Sequence, residues 1–569
     1  MRRLLALAGA LGILVAATWS SGANAHPERD AFYPNFDRSG QNFAPAFGRA
    51  PKSRAIFAKS RKGNGRLVVC KPDSYKRIKR IKGTAKAKKV RRANLKLLKQ
   101  CRFRHIQAAV NKAKNNTRIA VLPGVYKEEP SLKSPNPDPR CEGLYQAADR
   151  TANQTLARGA PIPTEQVIGS YEYNRKCQNS HSLIAIVGDN GDADRRCDDK
   201  CNIQIVGTGL SRTDVLISGQ RSKLNVIKGD RADGLSLRNF TVEYSDFNNI
   251  YVLETNGFVV DRILSRYSRE YGFLSFTSDQ GLINDVEALG SGDSGIYPGA
   301  GPEGHCKRYG IEMRNSNSHH NNIGSSGTAG NGVYSHDNKF HHNSMGITVD
   351  SFAGGHPGMP QDCAKWENNE IYSNNLDLWN EAHDDYCDIN KRPIAQRDPK
   401  KVCPTFQNPA GTGILIAGGN GNIAKGNRIY DNWRDGIKLL WVPRALRGED
   451  PTGQSVNTED NFDTSLDNKF TNNVMGTDPA GKRDPNGRDF WWDMEGRGNC
   501  WQNNSGAGGA KVTANLATGV PDCPGSPVLL PGNAAEQASQ ISCATWNPYD
   551  PALRDPPGCD WFRVPPEPK

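Results

Sequence analysis

A glycine or asparagine followed by a large apolar residue recurs through the middle of this chain. It stands at Asn249-Ile250, Gly272-Phe273, Gly295-Ile296, Gly310-Ile311, Gly332-Val333, Gly346-Ile347, Gly413-Ile414 and Gly436-Ile437, the first steps being 23, 23, 15 and 22 residues. A second register, Asn239-Phe240, Arg262-Ile263 and Asp285-Val286, also advances by 23. Each pair opens a short strand-like unit such as Ile347-Thr348-Val349-Asp350. Strands this short cannot bury an apolar face alone, so the repeat predicts stacked units sharing one continuous core. The shorter steps predict a jump to another face of the coil.

A leucine-rich horseshoe and a parallel β-helix both suit such a period. The horseshoe needs a leucine skeleton, whereas the apolar positions here are Ile, Val and Phe, and asparagine falls at the corners (Asn338, Asn343, Asn369, Asn374, Asn427, Asn432). Asparagine tolerates left-handed backbone and can ladder between stacked turns, so the β-helix is expected.

The termini and cysteines set the compartment. Met1-Arg2-Arg3, an apolar run from Leu4 to Ala17 and the small-residue site Ala23-Asn24-Ala25 read as a secretory signal peptide over residues 1–25. No other stretch reaches the roughly 18 apolar residues of a transmembrane helix. Fourteen cysteines predict up to seven disulfides in an oxidising, extracellular or cell-wall setting. Cys197 and Cys201 lack a second close pair or a nearby histidine, so a disulfide is expected there rather than zinc. Cys387 with Cys403 would close one loop, and Cys500, Cys523, Cys543 and Cys559 would staple the tail.

The net charge of +13 is unevenly spread: residues 51–104 hold 21 Lys and Arg against one acid, Asp73, which leaves residues 105–569 acidic. Residues 26–104 are therefore expected to be a basic, poorly ordered segment, serving as linker or wall contact. Its three aromatics, Phe57, Tyr75 and Phe103, are too few to predict specific nucleic-acid recognition by stacking.

Residues 103–113 place Ile106, Ala109, Val110 and Ala113 on one helical face, followed by the strand Ile119–Leu122 and the turn Pro123-Gly124-Val125-Tyr126. This helix and strand resemble the start of pectin-lyase-like right-handed parallel β-helix proteins, and the later repeats resemble their coils. The resemblance, over residues 100 to 505, implies an all-β right-handed solenoid whose N-terminal helix caps the open end of the core. We divide the chain into a β-helix domain at 105–500, with insertions near 127–202 and 381–411, and a Cys/Pro/Gly-rich C-terminal cap at 501–569.

Eight of eleven histidines lie between His305 and His383. With Ile311, Met313, Val333, Ile347, Val349, Ile437 and Leu439 inward, alternation turns Glu312, Arg314, Tyr334, Thr348, Asp350 and Lys438 outward, where neighbouring coils could line a groove for a chain-like substrate. His336 or His356 is the expected base, with Asp350 as a further catalytic residue. Asp350 and Glu312 are expected to hold calcium, and Tyr334, Arg314, Lys438 and Asp377 to bind substrate. His319, His320, His341 and His342 read instead as corner residues in asparagine's place.

The sequence lacks the Asp-Pro-His-Asp of mannuronan epimerases, the Asn-Thr-Asp set of polygalacturonases and the Trp-Ile-Asp-His of pectate lyases, so no family catalytic residue carries over. The expected function is action on an acidic extracellular polysaccharide, most simply as a lyase. Two alternatives stay open: a non-catalytic polysaccharide- or wall-binding solenoid, and a two-carboxylate glycoside hydrolase using Asp350 and Asp377.

Overall fold

The computed structural model describes residues 29, 31–34, 65–136, 138–147, 167–352, 356–379, 386–387, 392, 396–447, 461–545 and 559–569. The expected signal peptide lies outside these residues.

The repeat folds into coils with three strand faces. Sheet I runs from Arg66–Val69 and Arg118–Val121 through Ile311–Arg314, Val333–His336 and Lys365–Glu367 to Cys500–Gln502. Sheet II includes Glu287–Leu289, Asn317–His319, Lys339–His341, Glu370–Tyr372 and Arg428–Tyr430. Sheet III runs from Ser182–Val187 through Ser294–Gly299, Met345–Asp350 and Asp435–Leu440 to Phe490–Trp492. Every pairing between successive coils is parallel, as in Ile311↔Val333 and Ile347↔Ile414. One core fills the coil, and Ile250, Phe273, Ile311, Val333, Ile347, Ile414 and Ile437 all point into it.

The recurring glycine has a steric cause. A Cβ on Gly346 would stand 2.4 Å from the carbonyl oxygen of Gly413, and one on Gly413 would stand 2.5 Å from that of Gly436. Stacked coils leave no side-chain room there.

The corners explain the asparagines. The turn from sheet I to sheet II takes left-handed backbone at Asn239, Arg262, Asp285, Asp337 and Asn368, with φ between 51° and 58°. Beside it Asn338, Asn369, Asn427 and Asn473 form a ladder, each Nδ2 donating to the next Oδ1 at 2.9–3.0 Å as far as Asn504. A second ladder runs Asn321, Asn343, Asn374, Asn432, Asn486, and a third runs Gln361, Asn422, Asn468, Asn499. Each rung satisfies polar groups that the buried turns would otherwise strand.

The amino-terminal boundary differs from expectation. Residues 66–104 are not a loose basic arm: Arg66–Val69 pairs in parallel with Arg118–Val121, helices α1 (Ser74–Arg80) and α2 (Ala85–Leu98) follow, and Cys70 bonds Cys101. Charge counting hid an apolar stripe in which Val68, Ile78, Leu95 and Leu98 pack with Ala120 and Leu122, while most cations of the two helices stay at the surface. Helix α3 (Ile106–Lys112) buries Ile106, Ala109 and Val110 in the coil core. Limited trypsin digestion is accordingly expected to spare residues 70–101 in the native protein and to cut there after reduction; rapid native cleavage would show that the cap is undocked.

All fourteen cysteines are paired, including Cys197–Cys201, Cys387–Cys403, Cys500–Cys523 and Cys543–Cys559. The tail then folds back, and Trp561 and Phe562 pack with Leu415, Leu440 and Trp491 of sheet III. No described helix is long and apolar enough to cross a membrane.

Candidate functional site

The outward residues singled out by alternation fall on two different faces. Glu312 and Arg314 lie on sheet I, in register with Tyr334 and His336 on the next coil. Glu312 is fully buried, and its Oε1 accepts from Arg314 Nη1 at 2.7 Å and lies 3.0 Å from His336 Nε2. The other imidazole nitrogen, Nδ1, is 2.7 Å from Asp337 Oδ2, and the ring stacks on Tyr334 at 4.4 Å. Burial alone would lower the His336 pKa, but the bonds to Glu312 and Asp337 outweigh it and raise it. His336 is thus bridged between two carboxylates, with both ring nitrogens engaged and neither turned toward a substrate. Tyr334 donates to Glu367 at 2.6 Å, and Lys365 pairs with the same carboxylate at 2.7 Å. Beside this network lies an open groove of about 270 Å³ lined by Arg238, Arg262, Arg314, Asp261, Asn284 and Asp285.

Sheet III is built differently. The turns between sheets I and II are short, whereas the longest connections enter or leave sheet III: 300–310, 351–364 and 441–468 follow its strands, and 373–411 precedes one. Among them, Asp350 is 2% exposed and accepts Thr328 Oγ1 at 3.0 and 3.1 Å and the Phe352 amide at 3.1 Å. Burial pushes its carboxyl up to about 6. The Thr328 amide donates to Tyr297 Oη at 3.3 Å, and burial followed by the nearby Asp350 charge raises that phenol well above its usual range. Tyr271 donates to Asp293 at 2.9 Å, and the His356 ring meets Phe276 edge-on at 5.2 Å. Perturbed acid–base groups converge on this face, the electrostatic signature of a functional site.

The same face is partly covered by the chain's own ends. Arg29 ion-pairs with Asp230 at 2.8 Å and with Glu254, the Phe32 amide donates to Glu254 at 2.8 Å, and Ala31 packs with Tyr251, Leu253 and Tyr271. Tyr33 donates to the Gly301 carbonyl at 3.2 Å. At the other end, Lys438 lies 3.5 Å from the Trp491 ring and 3.4 Å from Asp435, and burial lowers its pKa to about 8.

Several expectations are therefore corrected. Glu312 and Asp350 occupy different sheets and cannot share a calcium ion. His336 does not join Asp350 and His356. Lys438 is enclosed with Asp435 and Trp491, which removes it as a free partner for a substrate carboxylate. Asp377 sits half-buried in the connection leaving sheet II, and no described hydrogen bond ties it to Asp350. Tyr297 and Thr328 were missed, although a signal existed: Tyr297 follows inward Ile296 in the 23-residue register, and Thr328 precedes Asp350 by one 22-residue step.

Burial also lifts Glu128, Asp493 and Glu495, to about 7, 6 and 7. A carboxyl with its folded pKa above its unfolded one binds its proton more tightly when folded. Its contribution is fully present below about pH 4 and is lost as pH rises through 6 to 7. Together with Asp350, these groups predict a higher melting temperature at pH 5 than at pH 8. A scan in which Tm rises steadily from pH 5 to 8 would show that the histidines whose pKa burial lowers, His341 above all, dominate instead.

Three parallel faces around one core make this a right-handed parallel β-helix. No family model and no curated protein matches the sequence. Among solved structures, the A-module of a mannuronan C-5 epimerase from Azotobacter vinelandii aligns with 11% identity and a TM-score of 0.40 over 72% of this chain and 92% of that one. A pectate lyase aligns at 11% and 0.30 over 82% of each chain, and a surface adhesin of Streptococcus pneumoniae at 8% and 0.31 over 57% of this chain and 82% of that one. At these scores the fold assignment rests on the coils themselves.

Proposed function

We propose that this protein acts on an extended extracellular polysaccharide by proton transfer at a uronic-acid unit, as β-elimination or epimerisation, on the outer face of sheet III. The observation that carries the reading is Asp350: a buried carboxyl at about 6, joined through Thr328 to a tyrosine that stays protonated, on the face flanked by the longest connections. A carboxyl at about 6 is largely ionised at physiological pH yet more basic than an ordinary carboxylate, which favours abstraction of the carbon-bound proton next to the sugar carboxylate. Tyr297, which burial keeps protonated, is the group we assign to return a proton, to the departing glycosidic oxygen in elimination or to the opposite face of the carbon in epimerisation. His356 is assigned to orienting the sugar carboxylate. The seven disulfides fit an oxidising compartment, in keeping with secretion.

The second reading is non-catalytic binding of a glycan along sheet I. It takes its support from the open arginine-lined groove there and from the cover over Asp350, which a substrate must displace. A panel of acidic and neutral polysaccharides, assayed for unsaturated uronate, for epimerised residues and for bound but unchanged polymer, decides between them. Product from any acidic polymer supports the first reading. Binding without product, weakened by Arg314→Ala, establishes the second. Reducing ends without unsaturation would mean hydrolysis, and running the panel with and without a chelator tests calcium.

A further inference from the structure

Sheet II carries a cluster that the proposed reaction does not use. His319 and His341 are register partners on adjacent coils, and His320 and His342 follow them in left-handed corners with φ of 55° and 51°. The rings stack coil on coil at 5.2 Å (His319 on His341) and 5.6 Å (His320 on His342). Within each coil the two rings stand nearly perpendicular, bringing Nδ1 of His319 to 2.7 Å from Nδ1 of His320, and Nδ1 of His341 to 2.8 Å from Nδ1 of His342.

The far nitrogens determine which lone pairs are free. Nε2 of His341 lies 2.9 Å from Asn317 Oδ1, an acceptor when the amide is oriented as here, and Nε2 of His319 lies 3.5 Å from Glu287 Oε1. Both partners call for a proton on Nε2, so Nδ1 of each ring presents a lone pair toward its neighbour. An oxygen acceptor behind a histidine is the arrangement that orients imidazoles toward metals.

We propose that the pairs His319–His320 and His341–His342 each form a two-ligand surface site for a borderline divalent metal such as Zn²⁺ or Ni²⁺, each coil supplying its own pair of Nδ1 ligands, since the rings of the two coils stand 5.2 and 5.6 Å apart. At metal–nitrogen bonds of about 2.0–2.1 Å, two ligands on one ion stand roughly 2.9–3.4 Å apart, so each pair needs to open by only a few tenths of an ångström. The exposed rings of His320 and His342 have that freedom. In a neutral pair the proton now between the rings moves to Nε2 of the outer histidine, facing solvent, and no net proton is lost. The Leu289 coil and the stacked ring of Tyr372, 4.8 Å from His341, bound the cluster on either side, so the two pairs take one or two ions.

The test is equilibrium dialysis of the full-length protein against Zn²⁺ and, separately, Ni²⁺, beside a His320→Asn/His342→Asn variant, since asparagine keeps the left-handed corners. One or two ions per chain bound at micromolar concentration, at least tenfold more weakly by the variant, is the expected result. A metal-dependent rise in melting temperature should likewise appear only in the unmodified protein. No uptake below millimolar metal, or equal uptake by an equally folded variant, overturns the proposal. Should the double variant fail to fold, His320→Asn alone must weaken uptake at unchanged melting temperature of the metal-free protein.

Discussion

Asp350→Asn is expected to lower turnover of any susceptible polysaccharide by about 10²- to 10⁴-fold, the range for loss of a general acid or base. Asparagine keeps the shape and can still accept from Thr328 and the Phe352 amide, so the folded state should survive and the loss should fall on kcat rather than on melting temperature. Because the carboxyl sits at about 6, the pH profile of kcat/KM for the unmodified protein should rise through that value if the proposed reaction holds, and the variant should lack this limb. His336→Ala is the internal control. Its imidazole belongs to sheet I, bound between Glu312 and Asp337, so activity there should change only a few-fold. An Asp350→Asn enzyme with full activity, or a His336→Ala enzyme without any, would move the chemistry from sheet III to sheet I.

Gly346→Ala is expected to cost about 3 kcal/mol, a large effect for one methyl group, because overpacking here is against backbone. The added Cβ would meet the Gly413 carbonyl oxygen at 2.4 Å, Ile371 Cγ2 at 2.9 Å and Asn374 Nδ2 at 3.0 Å. None of these is a flexible side-chain end: the first belongs to the next coil, the second to the core and the third to the second ladder. The coil spacing cannot widen at one point without breaking neighbouring bonds. Gly143→Ala, which meets nothing within 4 Å, should stay within about 0.5 kcal/mol of the parent. Denaturant midpoints at unchanged m-value measure both. Equal midpoints for the two variants would show that the stack yields locally, contrary to a close-packed solenoid.

The stacked architecture was legible in the sequence because its causes are local and repeated. A glycine is needed wherever one coil's carbonyl crowds the next, an apolar residue follows wherever the strand turns inward, and asparagine recurs where a turn must both adopt left-handed backbone and ladder. Each requirement returns every coil, so the period reports it. The direction of Glu312, Arg314, Tyr334, Asp350 and Lys438 away from the core was legible for the same reason, since alternation is a property of two successive residues.

Which of three faces an outward residue joins was not legible. That depends on corner geometry summed along the coil, and a catalytic pair drawn across sheets I and III looks as plausible in sequence as one within a sheet. Pairing Glu312 with Asp350 rests on that ambiguity, and the fold separates them. The basic segment misled for a related reason: its cations are surface decoration on helices whose few apolar residues matter only once Ala120 and Leu122 are beneath them. The environment of Asp350 was beyond reach as well. Its pKa is raised by burial on a sheet that distant segments partly cover, as where Arg29 reaches Asp230 and Trp561 reaches the outer side of sheet III. Sequence alone determined the coil, its core and its corners, because those follow from neighbours one strand or one period away. Tertiary structure decided the face, the cover and the protonation of the site, because those are set by contacts between segments that no periodicity links.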